Sequence, residues 1–370
     1  MAMIGCGNEG HRLYRRLSDQ GICLDYVADN IREGYFWGKK IYRPADLLKE
    51  KPFFLISSDK FYETFKTQLI SFGLVEFEDF IKGNAYNRII VGFNANCYAT
   101  IYSNILNSCT EFTDKYYIYE NRPFYIIKEG QWSDVYLNNI DICITQDIED
   151  TERNHFFSEK YVRGKLKSEA KVIIVPNLVG FGRLFYPQYG AINEKSRDDA
   201  NDNGYFKYSD RIIDENVNNN RSTGQIYERI INEDVFDPKE LDKTRDEIVK
   251  LFYDREKKWD IPILDDIMSL LHTDQVFYDP YHPTNIIFSI IGKRLLEILG
   301  IHNAKIRPSM SFVHDEMPVY PEVAKQLELN WWNDRQEIRK NSVLKFCKTM
   351  TLYEYIQEYI QWCYERNKSC

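Results

Sequence analysis

A polar turn between an apolar strand and an amphipathic helix constrains this chain more than any other stretch. An apolar run covers residues 89–93, and an Asn-Ala-Asn-Cys turn follows at 94–97. Apolar residues then recur at three- and four-residue spacing over 98–106, which predicts an amphipathic helix. Cys97 is therefore predicted at the helix N-terminus, where unpaired N–H groups and the helix dipole favour a thiolate nucleophile. The alternative is that Cys97 is a small core residue.

A second motif, Asp279-Pro280-Tyr281-His282, lies far downstream and precedes another predicted helix. A carboxylate three residues before an imidazole can fix the tautomer of the ring. The second ring nitrogen then faces a nucleophile or an acceptor hydroxyl. The motif therefore predicts that Asp279 orients His282 as a general base.

A nucleophile turn followed late in the chain by Asp-x-x-His is the order found in the SGNH (GDSL-like) hydrolases, which carry serine in place of cysteine. Residues 88–300 resemble more specifically the WcbI-type polysaccharide-biosynthesis acetyltransferase family. Its usual motifs are Gly-Asn-Cys-Gln and a late His-Pro-Thr. This chain has Ala-Asn-Cys-Tyr at 95–98 and His-Pro-Thr at 282–284, so the Gly and the Gln of the first motif are replaced.

The resemblance implies a coenzyme A-dependent O-acetyltransferase that modifies a sugar hydroxyl in surface (capsular or exo-) polysaccharide biosynthesis. It implies acetyl-CoA as the donor and a polysaccharide or a sugar nucleotide as the acceptor. His282 would deprotonate either the acceptor hydroxyl or Cys97. An acyl-ester hydrolase of the same fold is a near alternative. A non-catalytic module that binds sugar nucleotides or coenzyme A is another, because of the replacements beside Cys97.

Polar residues stand at the ends of the strands that follow the Cys97 turn. The carboxyl ends of parallel strands form the site in an open α/β sheet, so Gln146 and Asn177 are expected to converge with Cys97. These two amides, Asn96 or backbone N–H groups of the turn are candidate donors to an oxyanion. Ordinary turn roles are the alternative. The predicted strands cover 115–119, 141–146 and 171–175.

Basic residues flank the last of these strands. Lys160 and Arg163 precede it and Arg183 follows it, within an otherwise acidic protein. Such a group suits the phosphates of coenzyme A, although a solvated helix face is the alternative.

The chain opens with a glycine-rich turn, Gly5-x-Gly7-x-x-Gly10, between a predicted strand and a predicted helix. A second strand ends at Asp29, about 20 residues later, where such folds hold a ribose. The segment resembles the short Rossmann-like modules attached to sugar-modifying and surface-polysaccharide enzymes. It predicts a nucleotide or sugar-nucleotide site, with NAD redox chemistry or a structural or regulatory remnant as alternatives. Only three strands are predicted here, too few for a full dinucleotide-binding domain.

These patterns predict an α/β protein of two domains. Residues 1–84 form a small Rossmann-like, nucleotide-binding-type module. Residues 85–370 form a WcbI-like (SGNH-like) acyltransferase domain with a parallel sheet and a helical C-terminal part. The polar stretch between 191 and 222 is predicted to be a lid or a mobile surface loop.

Composition excludes several classes of protein. A net charge of −8 and a pI near 5.5 argue against nucleic-acid binding. No run of 18 apolar residues occurs, so neither a signal peptide nor a membrane span is predicted. Eight cysteines without Cys-x-x-Cys spacing and six scattered histidines favour reduced thiols in the cytoplasm and no metal. The oligomeric state stays open, with a homo-oligomer among the possibilities.

Overall fold

The computed structural model describes residues 1–192, 206–232, 235–306, 315–341 and 347–367. The chain divides into two compact units. The first is Met1–Ile174 with Ile301–Arg307, and the second is Val175–Gly300 with Pro308–Cys370. The predicted domain boundary at residues 84 and 85 stays a prediction.

The first unit begins with a six-stranded sheet of order β3-β4-β2-β1-β5-β6. All of its pairs are parallel except the hairpin of β3 and β4. Strands β1 and β5 are buried along their whole length, as central strands of a parallel sheet must be. Its strands are β1 (Ala2–Ile4), β2 (Tyr26–Ala28), β3 (Tyr35–Phe36), β4 (Lys39–Tyr42), β5 (Phe54–Ile56) and β6 (Phe80–Lys82), with helices α1 (Asn8–Asp19) and α2 (Tyr62–Ser71) between them.

The expectation of only three strands in this segment was wrong. Strands β3, β4 and β6 extend the predicted core of β1, β2 and β5 at both edges. They lack a sequence signal because they are short and because β4 carries two lysines beside one isoleucine. Each of them is held by pairing with a neighbour rather than by its own apolar pattern.

The second sheet has the order β10-β9-β7-β8. Strand β7 pairs in parallel with β8 on one side and with β9 on the other. The predicted α/β fold with a parallel sheet is confirmed, and the carboxyl ends of β7 and β9 lie side by side. Its strands are β7 (Ile89–Asn94), β8 (Tyr116–Glu120), β9 (Ile142–Gln146) and β10 (Lys171–Val175), with helices α3 (Tyr98–Asn107), α4 (Thr110–Lys115), α5 (Asp134–Asn139) and α6 (Glu159–Lys165).

The second unit is mainly helical, as predicted for the C-terminal part. Its elements are the hairpin of β11 (Tyr189–Ile192) and β12 (Tyr208–Asp210), then helices α7 (Arg211–Asn218), α8 (Thr223–Ile231), α9 (Pro238–Glu256), α10 (Leu264–Leu270), α11 (Asn285–Ile298) and α12 (Pro321–Gln326), the hairpin of β13 (Ile338–Asn341) and β14 (Cys347–Met350), and the terminal helix α13 (Leu352–Asn367). In the described part of the chain no helix combines the length and the apolar character needed to cross a membrane.

The predicted lid between 191 and 222 was wrong where the structure describes it, and residues 193–205 lie outside the described residues. Residues 208–218 form β12 and α7 instead. Asp210 caps α7 by accepting hydrogen bonds from the backbone N–H groups of Ile212 (3.0 Å) and Ile213 (3.1 Å). Its carboxylate also accepts from the hydroxyl of Tyr320 (2.7 Å), and its own N–H donates to the hydroxyl of Tyr359 (3.1 Å). Asp210 thus joins α7 to α13 in the core of the second unit.

Candidate functional site

The end of strand β7 is held by a buried amide. The NH2 group of Asn94 donates to the hydroxyl of Thr145 (2.9 Å) and to the carbonyl of Phe157 (2.8 Å). Its carbonyl oxygen accepts from the indole N–H of Trp132 (3.0 Å). Both donors and the acceptor oxygen of this side chain are therefore used to fix the strand end from which the Cys97 turn departs.

Asn96 and Gln146 meet at this turn, as the parallel pairing of β7 and β9 requires. The side-chain oxygen of Gln146 accepts from the backbone N–H of Asn96 (2.9 Å). The side-chain oxygen of Asn96 in turn accepts from the backbone N–H of Tyr98 (2.9 Å). Two backbone donors of the turn are therefore engaged within it. The side-chain NH2 groups of Asn96 and Gln146 stay predicted candidates for donation to an oxyanion.

Cys97 is the N-cap residue of α3 and is half-buried. Desolvation raises the pKa of Tyr125 to about 12, and the charge of the neighbouring Cys97 and a hydrogen bond between the two side chains add to this increase. Burial also raises the pKa of Tyr102, again with a contribution from the Cys97 charge. Two phenols therefore surround the thiol. Sequence analysis missed both, because neither motif contains them.

Asp279 and His282 form a hydrogen-bonded pair inside one tight loop. The side-chain nitrogen Nδ1 of His282 lies 2.9 Å from Oδ1 and 2.8 Å from Oδ2 of Asp279. The same Oδ1 accepts from the backbone N–H groups of Tyr281 (2.7 Å) and His282 (3.0 Å). The loop is closed by a bond from the N–H of Tyr278 to the carbonyl of His282 (2.9 Å). Asp279 is fully buried and His282 almost so.

This geometry selects one tautomer of His282. A carboxylate accepts hydrogen bonds, so Nδ1 must carry the proton that points at Asp279. The other ring nitrogen, Nε2, then holds a lone pair and can accept a proton. The arrangement can therefore supply an oriented general base. The helix that follows begins at Asn285 with Thr284 as its N-cap, so Pro283 lies just before the helix.

Tyrosines of the second unit surround this pair. The hydroxyl of Tyr208 lies 3.4 Å from Nδ1 of His282, and its ring stacks on that of Tyr281 with centroids 5.5 Å apart. The hydroxyls of Tyr281 and Tyr189 are 2.6 Å apart. The aromatic groups enclose the dyad, and no sequence pattern indicated Tyr208 because it lies 74 residues before His282.

The loop after β10 is packed against the same motif. Gly180 donates its N–H to the carbonyl of Pro280 (3.1 Å). A Cβ added at Gly182 would lie only 2.3 Å from the carbonyl oxygen of Asp279, so this close approach requires glycine. Asn177 begins the loop, and its side-chain oxygen accepts from the N–H of Val179 (3.4 Å). Its NH2 group remains the part that can act as an oxyanion donor.

The basic residues are exposed. Arg163 on α6 forms an ion pair with Glu159 (2.5 Å), one turn earlier on the same helix. Lys160 is exposed on the same helix, and Arg183 places its guanidinium 5.8 Å from the ring centre of Tyr189. Exposed ion pairs contribute little stability, so the pairing of Arg163 can be exchanged for a phosphate.

At the chain start, Gly5, Gly7, Gly10 and Asp29 all line one cavity of about 460 Å³ at the carboxyl ends of β1 and β5. No group of His, Cys, Asp or Glu with metal-binding geometry occurs among the described residues.

The predicted site residues fall into four groups in the structure. Cys97 and Asn96 lie in the turn after β7, Gln146 ends β9 beside it, and the glycine turn lies elsewhere in the same unit. Asp279 and His282 of the Asp-x-x-His motif belong to the second unit, as do Asn177 and Arg183. Lys160 and Arg163 belong to the first unit, whereas Arg183 belongs to the second.

The fold and these groups define an α/β protein with a candidate thiol nucleophile and an acid–base pair. The family described as polysaccharide biosynthesis enzyme WcbI matches residues 89–304, which is more than half of the chain. This chain belongs to that family. The resemblance predicted from the two motifs is confirmed.

Among solved structures, the chain is similar to one described as WcbI, a novel polysaccharide biosynthesis enzyme, in a native form without a disulfide bond between coenzyme A and a cysteine. The two share 18% identity with a TM-score of 0.59, over 75% of this chain and 90% of that chain. The likeness shows a common fold. No curated protein gives a match to the sequence.

Proposed function

We propose that this protein is a coenzyme A-dependent O-acetyltransferase that acetylates a sugar hydroxyl during surface-polysaccharide biosynthesis. The observation that carries the proposal is the Asp279–His282 pair, with Nδ1 held at 2.8 Å from a fully buried carboxylate. Membership of the WcbI family supports the polysaccharide context. The solved WcbI structure, whose description names coenzyme A, supports the choice of cofactor.

The roles of the residues follow from their donors and acceptors. Nε2 of His282 takes the proton of the attacking group, while Asp279 stabilises the imidazolium that results. The NH2 groups of Asn96, Gln146 or Asn177 donate to the carbonyl oxygen as it gains negative charge. Removal of one such donor typically slows the reaction about 100- to 1,000-fold.

Two routes fit these roles. In direct transfer, the sugar oxygen loses its proton to His282 and forms a bond to the acetyl carbon as the donor C–S bond breaks. His282 then returns the proton to the departing sulfur. In the covalent route, His282 takes the thiol proton of Cys97, the Cys97 sulfur bonds to the acetyl carbon as the donor C–S bond breaks, and His282 returns the proton to the departing coenzyme A sulfur. The sugar oxygen then loses its proton to His282 and bonds to the same carbon as the bond to the Cys97 sulfur breaks, and the proton returns to Cys97. Both routes balance in atoms and charge, and both use the same base.

Coenzyme A would supply an activated acetyl group as a thioester. Its phosphates require exposed cations, and Lys160, Arg163 and Arg183 provide this donor chemistry. The predicted nucleotide or sugar nucleotide at the Gly5 turn is a separate ligand in this proposal, because no step above needs it and no hydride is transferred.

The test is a turnover assay on the full chain with acetyl-CoA and a panel of candidate glycans, in which released thiol and acetylated sugar are both measured. His282→Ala should lower turnover about 100- to 10,000-fold, the usual loss of a general base. His272→Ala is the matched control, because among the described residues its ring is hydrogen-bonded to a backbone carbonyl, that of Glu328 (3.3 Å), and lies outside the Asp279–His282 loop. Equal turnover of the two variants would refute the role of His282. Release of acetate without an acetylated sugar would favour the hydrolase, and no turnover with any donor would favour the binding module.

A kinetic cycle tests whether Cys97 and His282 serve one reaction, since they belong to different units. Residues that act as a unit are strongly non-additive. The double variant Cys97→Ser, His282→Ala should therefore be no slower than the slower single variant. If the loss of turnover in the double variant equals the product of the two single losses, the two residues act independently.

A further inference from the structure

The cavity at the glycine turn has the construction of a mononucleotide site. It lies between the carboxyl ends of β1 and β5, the two strands from which the sheet extends in opposite directions. In open α/β sheets, ligands bind in the crevice where the strand order reverses. The volume of about 460 Å³ is that of a small-molecule site.

Each glycine of the turn has a distinct spatial role. Gly5 has φ of 98°, a left-handed conformation, and a Cβ there would lie 2.5 Å from the hydroxyl oxygen of Ser57. A Cβ on Gly10 would lie 2.1 Å from the carbonyl oxygen of Gly5, so helix and strand approach too closely for any other residue. Gly7 faces open space instead. It is the N-cap of α1, and no side chain caps that helix. The open side of Gly7 lets a phosphate approach the first N–H groups of the helix.

Asp29 is arranged to accept one more hydrogen bond. Its Oδ1 accepts from the N–H groups of Ile31 and Arg32, both at 2.9 Å, and its Oδ2 accepts from the N–H of Cys6 at 2.8 Å. A carboxylate has about four acceptor positions, so within the described residues one position remains on Oδ2. Asp29 lines the cavity although only 9% of its surface is exposed. A hydroxyl group is the neutral donor that suits this position.

Apolar side chains complete the cavity. Ile31 is 86% exposed and Phe61 is 54% exposed, and both line it together with Phe65. Exposed large apolar residues that line the cavity suit the flat face of a base. On each side of the switch point the sheet has one β-α-β unit, β1-α1-β2 and β5-α2-β6, whereas each half of a dinucleotide fold is a longer βαβαβ unit.

We infer that this cavity binds one ribonucleoside diphosphate unit, free or attached to a sugar. A ribose hydroxyl donates to Oδ2 of Asp29, the base lies against Ile31 and Phe61, and the diphosphate meets the N-terminus of α1 at Gly7. Glu9 in the first turn of α1 lines the same cavity and repels the phosphates. The inference is independent of the proposed acetyl transfer.

The test is calorimetry on the full chain with UDP, ADP and GDP as probes. At least one should bind, and its 2′,3′-dideoxy form should bind about 10- to 100-fold more weakly, the usual worth of a hydrogen bond to a charged group. This comparison needs no variant, so it does not depend on how Asp29→Asn folds. Glu9→Gln should tighten binding and Gly7→Ala should weaken it. Gly224→Ala is the matched control, because its Cβ also meets open space.

Three results would overturn the inference. The first is that none of the three nucleotides binds at millimolar concentration. The second is that the dideoxy form binds with the same affinity as the ribonucleotide. The third is that saturating coenzyme A abolishes nucleotide binding. The last result would mean that the nucleotides occupy the coenzyme site. Absence of acetyl transfer in the turnover assay would leave the calorimetry unaffected, so the two proposals can fail separately.

Discussion

Replacement of Asp279 by asparagine tests the tautomer of His282 directly. In Asp279→Asn the side-chain oxygen can take the place of Oδ1 and still accept from the N–H groups of Tyr281 (2.7 Å) and His282 (3.0 Å). The NH2 group then takes the place of Oδ2, at 2.8 Å from Nδ1 of His282. Two N–H donors cannot face each other at that distance. The amide oxygen also lies 2.9 Å from Nδ1, but its two lone pairs are already used by the two backbone N–H groups. The imidazole is therefore expected to carry its proton on Nε2, which loses the lone pair needed for catalysis.

The expected loss of turnover follows from this change of tautomer. A base held in the wrong tautomer in a comparable triad lowers turnover about 10,000-fold. That factor corresponds to about 5 kcal/mol of activation free energy. Folding should be affected far less, because the backbone donors of the loop keep their acceptor and only the charge is lost. We expect a decrease of about 1–3 kcal/mol in the free energy of unfolding.

Two measurements check the prediction. Turnover with acetyl-CoA gives the kinetic loss, and the 15N chemical shifts of the His282 ring report which nitrogen carries the proton. Asp274→Asn is the matched control, because among the described residues its carboxylate accepts from the nearby hydroxyl of Thr273 (2.7 Å) and does not contact His282. Turnover within about threefold of the wild type, or an unchanged tautomer, would refute the reasoning.

Three further predictions concern other parts of the chain. Burial raises the pKa of Asp210 to about 7, so the folded state favours the protonated acid and the free energy of unfolding falls as the pH rises from about 4 to 7. Asp210→Asn should remove up to about 4 kcal/mol of this pH dependence, which chemical unfolding at several pH values would measure. Gly182→Ala should destabilise the protein by about 1–3 kcal/mol and reduce turnover, since its Cβ would lie 2.3 Å from the carbonyl oxygen of Asp279, whereas Gly224→Ala should change neither. Cys97→Ser should abolish the acetylated protein species in intact-mass spectrometry and lower turnover at least about 100-fold if the route is covalent, and near-normal turnover would establish direct transfer.

The fold was predictable where a strand carries a continuous apolar run. β7, β9 and β10 carry uninterrupted apolar runs, and the structure places all three in one sheet. Helix α7 was missed because only Ile212, Ile213 and Asn216 of it are buried, within a stretch rich in polar residues. Its start depends on the cap by Asp210, whose own environment is set by residues more than a hundred positions later.

The candidate site shows the same division between local and distant information. Asp279 and His282 are three residues apart, so their hydrogen bond is a property of one loop and could be predicted from the sequence. Tyr208 and Tyr125 reach His282 and Cys97 only through the fold, and no motif contains them.

The replaced motif positions beside Cys97 also acquire a meaning only from the structure. Ala95 and Tyr98 stand where the family pattern has Gly and Gln, and both are fully buried. Tyr98 packs edge-on against Tyr102 with ring centres 6.3 Å apart, so its side chain belongs to the core of the first unit. The replacement therefore alters packing behind the turn, while the turn itself keeps Asn96 and Gln146 in hydrogen-bonding contact. The turn would be disrupted only if the contact between Asn96 and Gln146 were lost. The residues at the replaced positions leave that contact in place.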